Sequence, residues 1–314
     1  MLDRRQLALA LAGAALAPRL AFARDVEPPA PVDPDQIIGA GVDRYDRLTI
    51  PVTVGDRGPY DFVVDTGADR TVLSETIADE LGLPPGRDVM IQGITGSELA
   101  RTVKAPPINL GRITLNSLDL PVLPRDRLGV DGLLGVDALQ KRRLVMDFRE
   151  RRLEILPGRD PAAGFSQPRD MYVPARDRFG RLVVIDATAN RAEIGAFVDS
   201  GAGMTIANTA LARAVQARGD WHDMAPTVPI YGVTSHQAAG EVRVLDTLRL
   251  GGLRFHDVPL IVADLDLFDH WGMAQKPSLL LGVNILRLFS RVEMDYSRKR
   301  MMFRVGADPQ IWLA

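Results

Sequence analysis

The chain repeats itself. Phe62-Val63-Val64-Asp65-Thr66-Gly67-Ala68 returns as Ala196-Phe197-Val198-Asp199-Ser200-Gly201-Ala202, with the second aspartate 134 residues after the first. Each copy is an apolar, strand-like run that ends in Asp, a hydroxyl residue, Gly and Ala. Internal repetition on this scale means two equivalent structural units packed against each other. Two units that each end a strand in such a loop can bring two carboxylates face to face. Close carboxylates cannot both ionise, so they share one proton.

The repetition continues downstream in the same order. A β-branched residue follows each loop, Thr71 or Thr205. Helix-like segments come next, Ser74 to Leu81 and Asn208 to Ala217, with Ser74 and Asn208 suited to N-cap the helices. Then come Val89-Met90-Ile91-Gln92-Gly93-Ile94-Thr95-Gly96 and Val228-Pro229-Ile230-Tyr231-Gly232-Val233-Thr234. Ile108-Asn109-Leu110-Gly111 matches Leu248-Arg249-Leu250-Gly251, and Gly132-Leu133-Leu134-Gly135-Val136-Asp137 matches Leu279-Leu280-Leu281-Gly282-Val283-Asn284. Leu144 to Phe148 matches Val292 to Tyr296. Most of these segments are short, apolar-rich and bounded by Gly, Pro or Asp, which reads as β structure with short helices. Thr49 to Val54 and Tyr60 to Val64 flank Gly55-Asp56-Arg57-Gly58, a hairpin turn.

The organisation follows from the register. Lobes are expected over 45–157 and 169–314, joined by a Pro/Gly/Ala-rich linker at 158–168. Residues 24–44 read as an extended leader. Residues 1–23 read as an export signal: Arg4-Arg5, an apolar run from Leu7 to Ala17 too short to span a bilayer, and Ala21-Phe22-Ala23 as a cleavage site. The paired arginines resemble a twin-arginine signal of a bacterial exported protein, periplasmic or secreted. With 46% apolar residues a globular product is expected. The net charge of −2, with both signs interspersed, argues against a nucleic-acid partner. The absence of cysteine excludes disulfides, thiol catalysis and zinc-thiolate sites.

The motif Asp65-Thr66-Gly67-Ala68-Asp69, followed by Thr71-Val72-Leu73, resembles the retropepsin form of the pepsin and retropepsin clan of aspartic proteases. The resemblance covers about residues 45–305. It implies an all-β, bilobal pepsin-like fold of two retropepsin-like lobes, with the active site in the cleft between them. Asp65 and Asp199 would be the catalytic pair. Thr66, Gly67, Ala68, Ser200, Gly201 and Ala202 would form the supporting loops, with the hydroxyls bonding across to the opposite lobe. Gly135 and Gly282 would support the loops from below. Gly93, Ile94, Tyr231 and Gly232 would belong to flaps over an extended polypeptide substrate. Some similar exported proteins clip the periplasmic parts of membrane proteins, so that substrate class is carried over too. No cofactor or metal is implied, and one chain supplies the whole site, so a monomer is expected. Pepsins usually carry Ser or Thr where Ala68 and Ala202 stand. Without that hydroxyl donor the ionised carboxylate is less favoured, which points to a working range of roughly pH 5 to 7.

The second lobe is the longer between its aspartate and its supporting glycine, 83 residues against 70, with longer loops expected at Arg218 to Pro226 and Asp264 to Gln275. Asp264, Asp266, Asp269 and His270 lack EF-hand spacing and read as a solvated loop or helix cap. His222, His236, His256 and His270 contain no i,i+4 pair and read as surface residues. Gly201-Ala202-Gly203 is followed by Ile206 where a dinucleotide fingerprint needs its third glycine. No Gly-x-Ser-x-Gly elbow occurs. The sequence therefore favours an aspartic endopeptidase. A peptide-binding protein with a silent cleft is the alternative, and a carboxylate-pair glycosidase is disfavoured by the duplicated signature.

Overall fold

The computed structural model describes residues 37–116, 118–139, 141–157, 170–178, 181–184, 186–217, 221–306 and 311–313. The proposed export signal, residues 24–36 of the leader and the linker lie outside the described residues. The fold is mainly β with short helices, and the two halves of the sequence form two lobes of matching topology.

In each lobe a hairpin delivers the aspartate. Leu48–Val54 pairs antiparallel with Arg57–Val64, turning at Gly55 with φ of 59°. That positive φ is open to glycine and costly for a residue with a Cβ. Arg57–Val64 then runs parallel to Gly132–Leu134, and Val72–Ser74 pairs antiparallel to the same strand. The second lobe repeats this. Arg181–Val184 pairs with Gly195–Val198, which runs parallel to Ser278–Leu281, and Ile206–Ala207 pairs antiparallel to that strand. The residues directly before both aspartates, Phe62, Val63 and Val64 and Ala196, Phe197 and Val198, are buried on both faces, which explains their continuous apolar sequence.

The helices begin where the polar caps predict. Ser74 Oγ accepts from Ile77 N–H at the start of Glu75–Glu80. Asn208 Oδ1 accepts from Leu211 N–H at 2.9 Å at the start of Thr209–Gln216, while its amide nitrogen donates to Lys276 O at 2.7 Å. The caps satisfy donors that the first turn leaves open.

A shared sheet joins the lobes. Its strand order is Ile37–Gly39, Arg152–Pro157, Arg142–Asp147, Phe289–Asp295, Arg300–Val305 and Asp170–Arg178, all antiparallel. The first three strands come from the first half of the chain and the last three from the second, so the repeat axis passes between Arg142–Asp147 and Phe289–Asp295. One face is apolar, with Leu144, Met146, Val292, Met294, Met301 and Phe303 in the main core. The other sets opposite charges across the strands, Arg143 against Asp295 and Asp147 against Arg291. The extended leader thus enters the fold at Ile37, whose strand pairs with Glu154.

The extra length of the second lobe is not loop. From residue 221 it forms a long hairpin, Trp221–Tyr231 with Gln237–Leu250. Asp264 to Gln275 carries the short helix Asp266–His270 and buries Leu265, Leu267, Phe268, Trp271 and Met273 in a separate apolar cluster. Apolar burial orders this stretch, while its aspartates stay at the surface. His236, His256 and His270 are exposed. Among the described residues no helix is long and apolar enough to cross a membrane.

Candidate active site

The two aspartate loops meet at the lobe interface in mirrored contacts. Asp65 N–H donates to Leu134 O, and Asp199 N–H donates to Leu281 O, each at 3.0 Å. Asp65 Oδ1 accepts from Gly67 N–H at 2.8 Å and Ala68 N–H at 3.0 Å. Asp199 Oδ1 accepts from Gly201 N–H at 2.8 Å. Between them the hydroxyls cross over. Thr66 N–H donates to Ser200 Oγ and Ser200 N–H donates to Thr66 Oγ1, both at 3.1 Å. Thr66 Oγ1 donates to Val198 O at 3.0 Å, and Ser200 Oγ to Val64 O at 2.6 Å. Thr66 and Ser200 are buried, so every bond in this grip is shielded from water.

The loop glycines mark how close the carboxylates come. A methyl added at Gly67 would sit 2.5 Å from Asp199 Oδ2, and one added at Gly201 would strike the Asp65 carboxyl. Each lobe's glycine is therefore the floor for the other lobe's carboxylate. Gly135 and Gly282 lie against the backbones of Arg70 and Met204, where a side chain has no room. Their neighbours complete the support: Val136 N–H donates to Ala68 O and Val283 N–H to Ala202 O, at 2.9 and 2.8 Å. Thr71 and Thr205 brace this level through Asp137 and Asn284, with hydroxyl bonds of 2.8 Å in both lobes.

Electrostatics break the symmetry. Asp199 is 5% exposed and Asp65 is half-buried. Burial, then the charge of Asp65, push the Asp199 carboxyl up to about 7, while the Gly201 N–H and Arg181 act in the opposite sense. Burial therefore favours the protonated form of Asp199, within a pair whose titration belongs to both carboxylates. Burial also raises the phenol of Tyr296, which lies within electrostatic reach of Arg181 and both aspartates.

Two flaps meet across the cleft. The hairpin Val89–Gln92 with Ser97–Ala100 carries Gly93 and Ile94 at its tip, and the long hairpin of the second lobe carries Gly232 and Val233. The apolar tips are exchanged. Ile94 packs against the cluster of Leu267 and Phe268 in the second lobe, and Val233 against that of Leu128 and Val130 in the first. Polar contacts fasten the exchange: Thr95 Oγ1 donates to His236 O at 2.9 Å, and Ser235 N–H donates to Glu98 at 2.8 Å. Glu98 also pairs with Arg127 at 2.9 Å. Burial acts to raise the Glu98 carboxyl, but the Ser235 hydrogen bonds and the cations nearby hold it below its usual range. Tyr231 is 64% exposed, so Gly93, Ile94 and Gly232 make the junction while Tyr231 stands in solvent.

Two residues escaped the motif reading. Arg47 and Arg181 are 134 residues apart, the spacing of the aspartates, and that coincidence was their only signal. Both are buried. Arg181 donates to Gly67 O through Nε at 3.0 Å and Nη2 at 2.7 Å, pairs with Asp69 at 2.8 Å and lies over the Trp271 ring at 4.8 Å. Arg47 donates to Gly201 O at 3.2 Å and to Leu128 O at 2.9 Å, and pairs with Asp43 at 2.6 Å. The acidic stretch near the second flap has local partners. Asp264 bonds Thr209 N–H, and Asp266 accepts from Gln92. Among the described residues no group of three or more His, Asp or Glu is arranged to hold a metal ion.

A duplicated all-β fold whose lobes each contribute an Asp-hydroxyl-Gly loop to one paired-carboxylate site defines a retropepsin-like protein. The comparison with protein families agrees. A family model described as aspartyl protease matches residues 50–138 and 185–285, once in each lobe and over more than half of the chain, and the protein belongs to that family. The protein DNA-DAMAGE INDUCIBLE 1 of Arabidopsis thaliana is 25% identical over 154 residues, covering 48% of this chain and 36% of that protein. The match thus spans about a third of that relative's length.

Proposed function

We propose that the protein is an endopeptidase that hydrolyses extended polypeptides with water activated between Asp65 and Asp199. The observation that carries this reading is the reciprocal packing of each loop glycine on the opposite carboxylate, fixed by the Thr66–Ser200 grip. It supports two carboxylates sharing one proton at a rigid separation, the arrangement that splits base and acid duties.

Ionised Asp65 takes a proton from water as its oxygen attacks the peptide carbonyl carbon, and Asp199 gives its proton to the carbonyl oxygen. Asp65 then passes its new proton to the amide nitrogen. The C–N bond breaks, one hydroxyl proton of the tetrahedral diol returns to Asp199, and acid and amine products leave. The main chain of the substrate would pair with the flap strands by β-augmentation, and closing the flaps excludes water. Since loss of the shared proton ends the active form, the raised carboxyl of Asp199 supports an alkaline limb in the neutral range. This fits the working range expected from Ala68 and Ala202.

The shared sheet and the two loops within one chain support a monomeric catalytic unit. The twin-arginine start and Ala21-Phe22-Ala23 support export with removal of residues 1–23, and so a polypeptide target outside the cytoplasm, such as the exposed part of a membrane protein. The test is incubation of the protein lacking residues 1–23 with a mixed peptide library at pH 5 to 7. New peptide termini are expected. Peptides retained intact on the protein would show a binding protein instead.

A further inference from the structure

The duplication gives each lobe an aspartate loop but leaves open what sets one loop against the other to within the tolerance of catalysis. The Thr66–Ser200 grip fixes the loops at their hydroxyl residues. The next residue, glycine, is the one that packs on the opposite carboxylate, and its carbonyl is held separately. Arg181, from the strand Arg181–Val184 of the second lobe, forks two N–H groups onto Gly67 O in the first. Arg47, just before the strand Leu48–Val54 of the first lobe, donates to Gly201 O in the second. Each arginine is braced by its own contacts, Arg181 by Asp69 and the face of Trp271, Arg47 by Asp43 and Leu128 O.

We propose that Arg47 and Arg181 are a crossed pair of positioning residues, each holding the catalytic loop of the opposite lobe by its glycine carbonyl. Resting on the endopeptidase reading, this assigns a role in turnover to two buried cations outside the dyad.

A planar guanidinium keeps a fixed donor fork, so two bonds to one carbonyl define the direction of that carbonyl as well as its distance. Turning the Gly67 carbonyl rotates the adjoining peptides, whose N–H groups from Gly67 and Ala68 orient Asp65 Oδ1. Arg181 therefore aims the carboxylate of the first lobe, while Arg47 anchors the Gly201 carbonyl of the second by a single bond. The pair is not equivalent. Arg181 also acts electrostatically on Asp199, favouring its ionised form. The charged and titratable groups facing this region are Asp65, Asp69, Asp177, Asp199 and Tyr296.

Four variants test this: Arg181→Lys, Arg181→Gln, Arg47→Lys and Arg47→Gln, with the wild type cleaving the same peptide in parallel. The lysine variants keep the charge and lose the fork. Each should fold, by an unchanged circular dichroism spectrum, and lose about 10- to 100-fold in kcat with KM within about twofold. Arg181→Gln should in addition move the alkaline limb upward by roughly 0.5 to 1 in pH, because a charge that favours ionised Asp199 is gone. Arg181→Lys and both Arg47 variants should leave that limb in place. The carboxyl titration of Asp199, followed by carbon-13 NMR, should show the same pattern without any turnover. Folded lysine variants with wild-type kcat would overturn the positioning role. An Asp199 titration unchanged in Arg181→Gln would overturn the electrostatic part. A wild type that cleaves nothing would instead remove the endopeptidase reading, and the NMR titration would still test the charge of Arg181. If the glutamine variants do not fold, the lysine variants carry the test.

Discussion

Replacing Asp199 by Asn should change how stability depends on pH, in a direction that follows from the site. The Asp199 carboxyl rises from 3.8 in the unfolded reference to about 7 in the folded protein. The folded state therefore holds this proton more tightly than the unfolded chain. Its contribution to stability is full below about pH 4 and is lost as pH rises through about 7. Each tenfold gain in proton affinity on folding corresponds to about 1.4 kcal/mol, so the whole effect is on the order of 4 kcal/mol, shared within the coupled pair. The amide of Asn keeps an oxygen for the Gly201 N–H, has similar volume and carries no proton in this range. Urea unfolding at pH 5, 6, 7 and 8 measures both proteins, and their difference removes the titration of other groups. The wild type should lose roughly 3 kcal/mol relative to Asp199→Asn between pH 5 and 8. A difference that stays constant over that range would show that Asp199 is not held protonated by its surroundings.

Other outcomes follow from the same geometry. Gly67→Ala and Gly201→Ala each drive a methyl into the opposite carboxylate and should abolish cleavage while costing about 2 kcal/mol or more of stability, read by urea unfolding. Ser200→Ala leaves the buried Thr66 N–H without its acceptor and Val64 O without its donor, and should cost about 1 to 3 kcal/mol by the same assay. Cysteine is absent from the chain, so spin labels at Met90→Cys and Gln237→Cys report only the flaps. Their distance distribution should be narrow in that background and broaden on Glu98→Ala, which removes the acceptor of the Ser235 N–H. An unchanged distribution would mean that Glu98 does not fasten the flaps.

The fold and the paired site were legible because their requirements are written in residue types with few substitutes. Gly67, Gly201, Gly135 and Gly282 each stand where a Cβ would meet a carboxylate or a backbone. Thr66 and Ser200 supply the hydroxyls of the grip, and Ser74 and Asn208 cap their helices. The rest depends on tertiary packing. Arg47 and Arg181 have the same letters as surface arginines, and only the repeat spacing separates them. The aspartates of Asp264 to Gln275 suggest a solvated loop, but Leu265, Leu267, Phe268 and Trp271 between them pack into a core. The strand Ile37–Gly39 is too short to declare itself and exists through its pairing with Arg152–Pro157. The junction between the flaps is made by Ile94 and Val233, which only the packing of the two lobes reveals.

The most direct test of the central claim compares peptide termini produced by the wild type, Asp65→Asn and Asp199→Asn from one denatured protein mixture at pH 6. New termini are expected with the wild type and none with either folded variant, because neither carboxylate alone can serve as both base and acid. Equal cleavage by a single-aspartate variant and the wild type would contradict it.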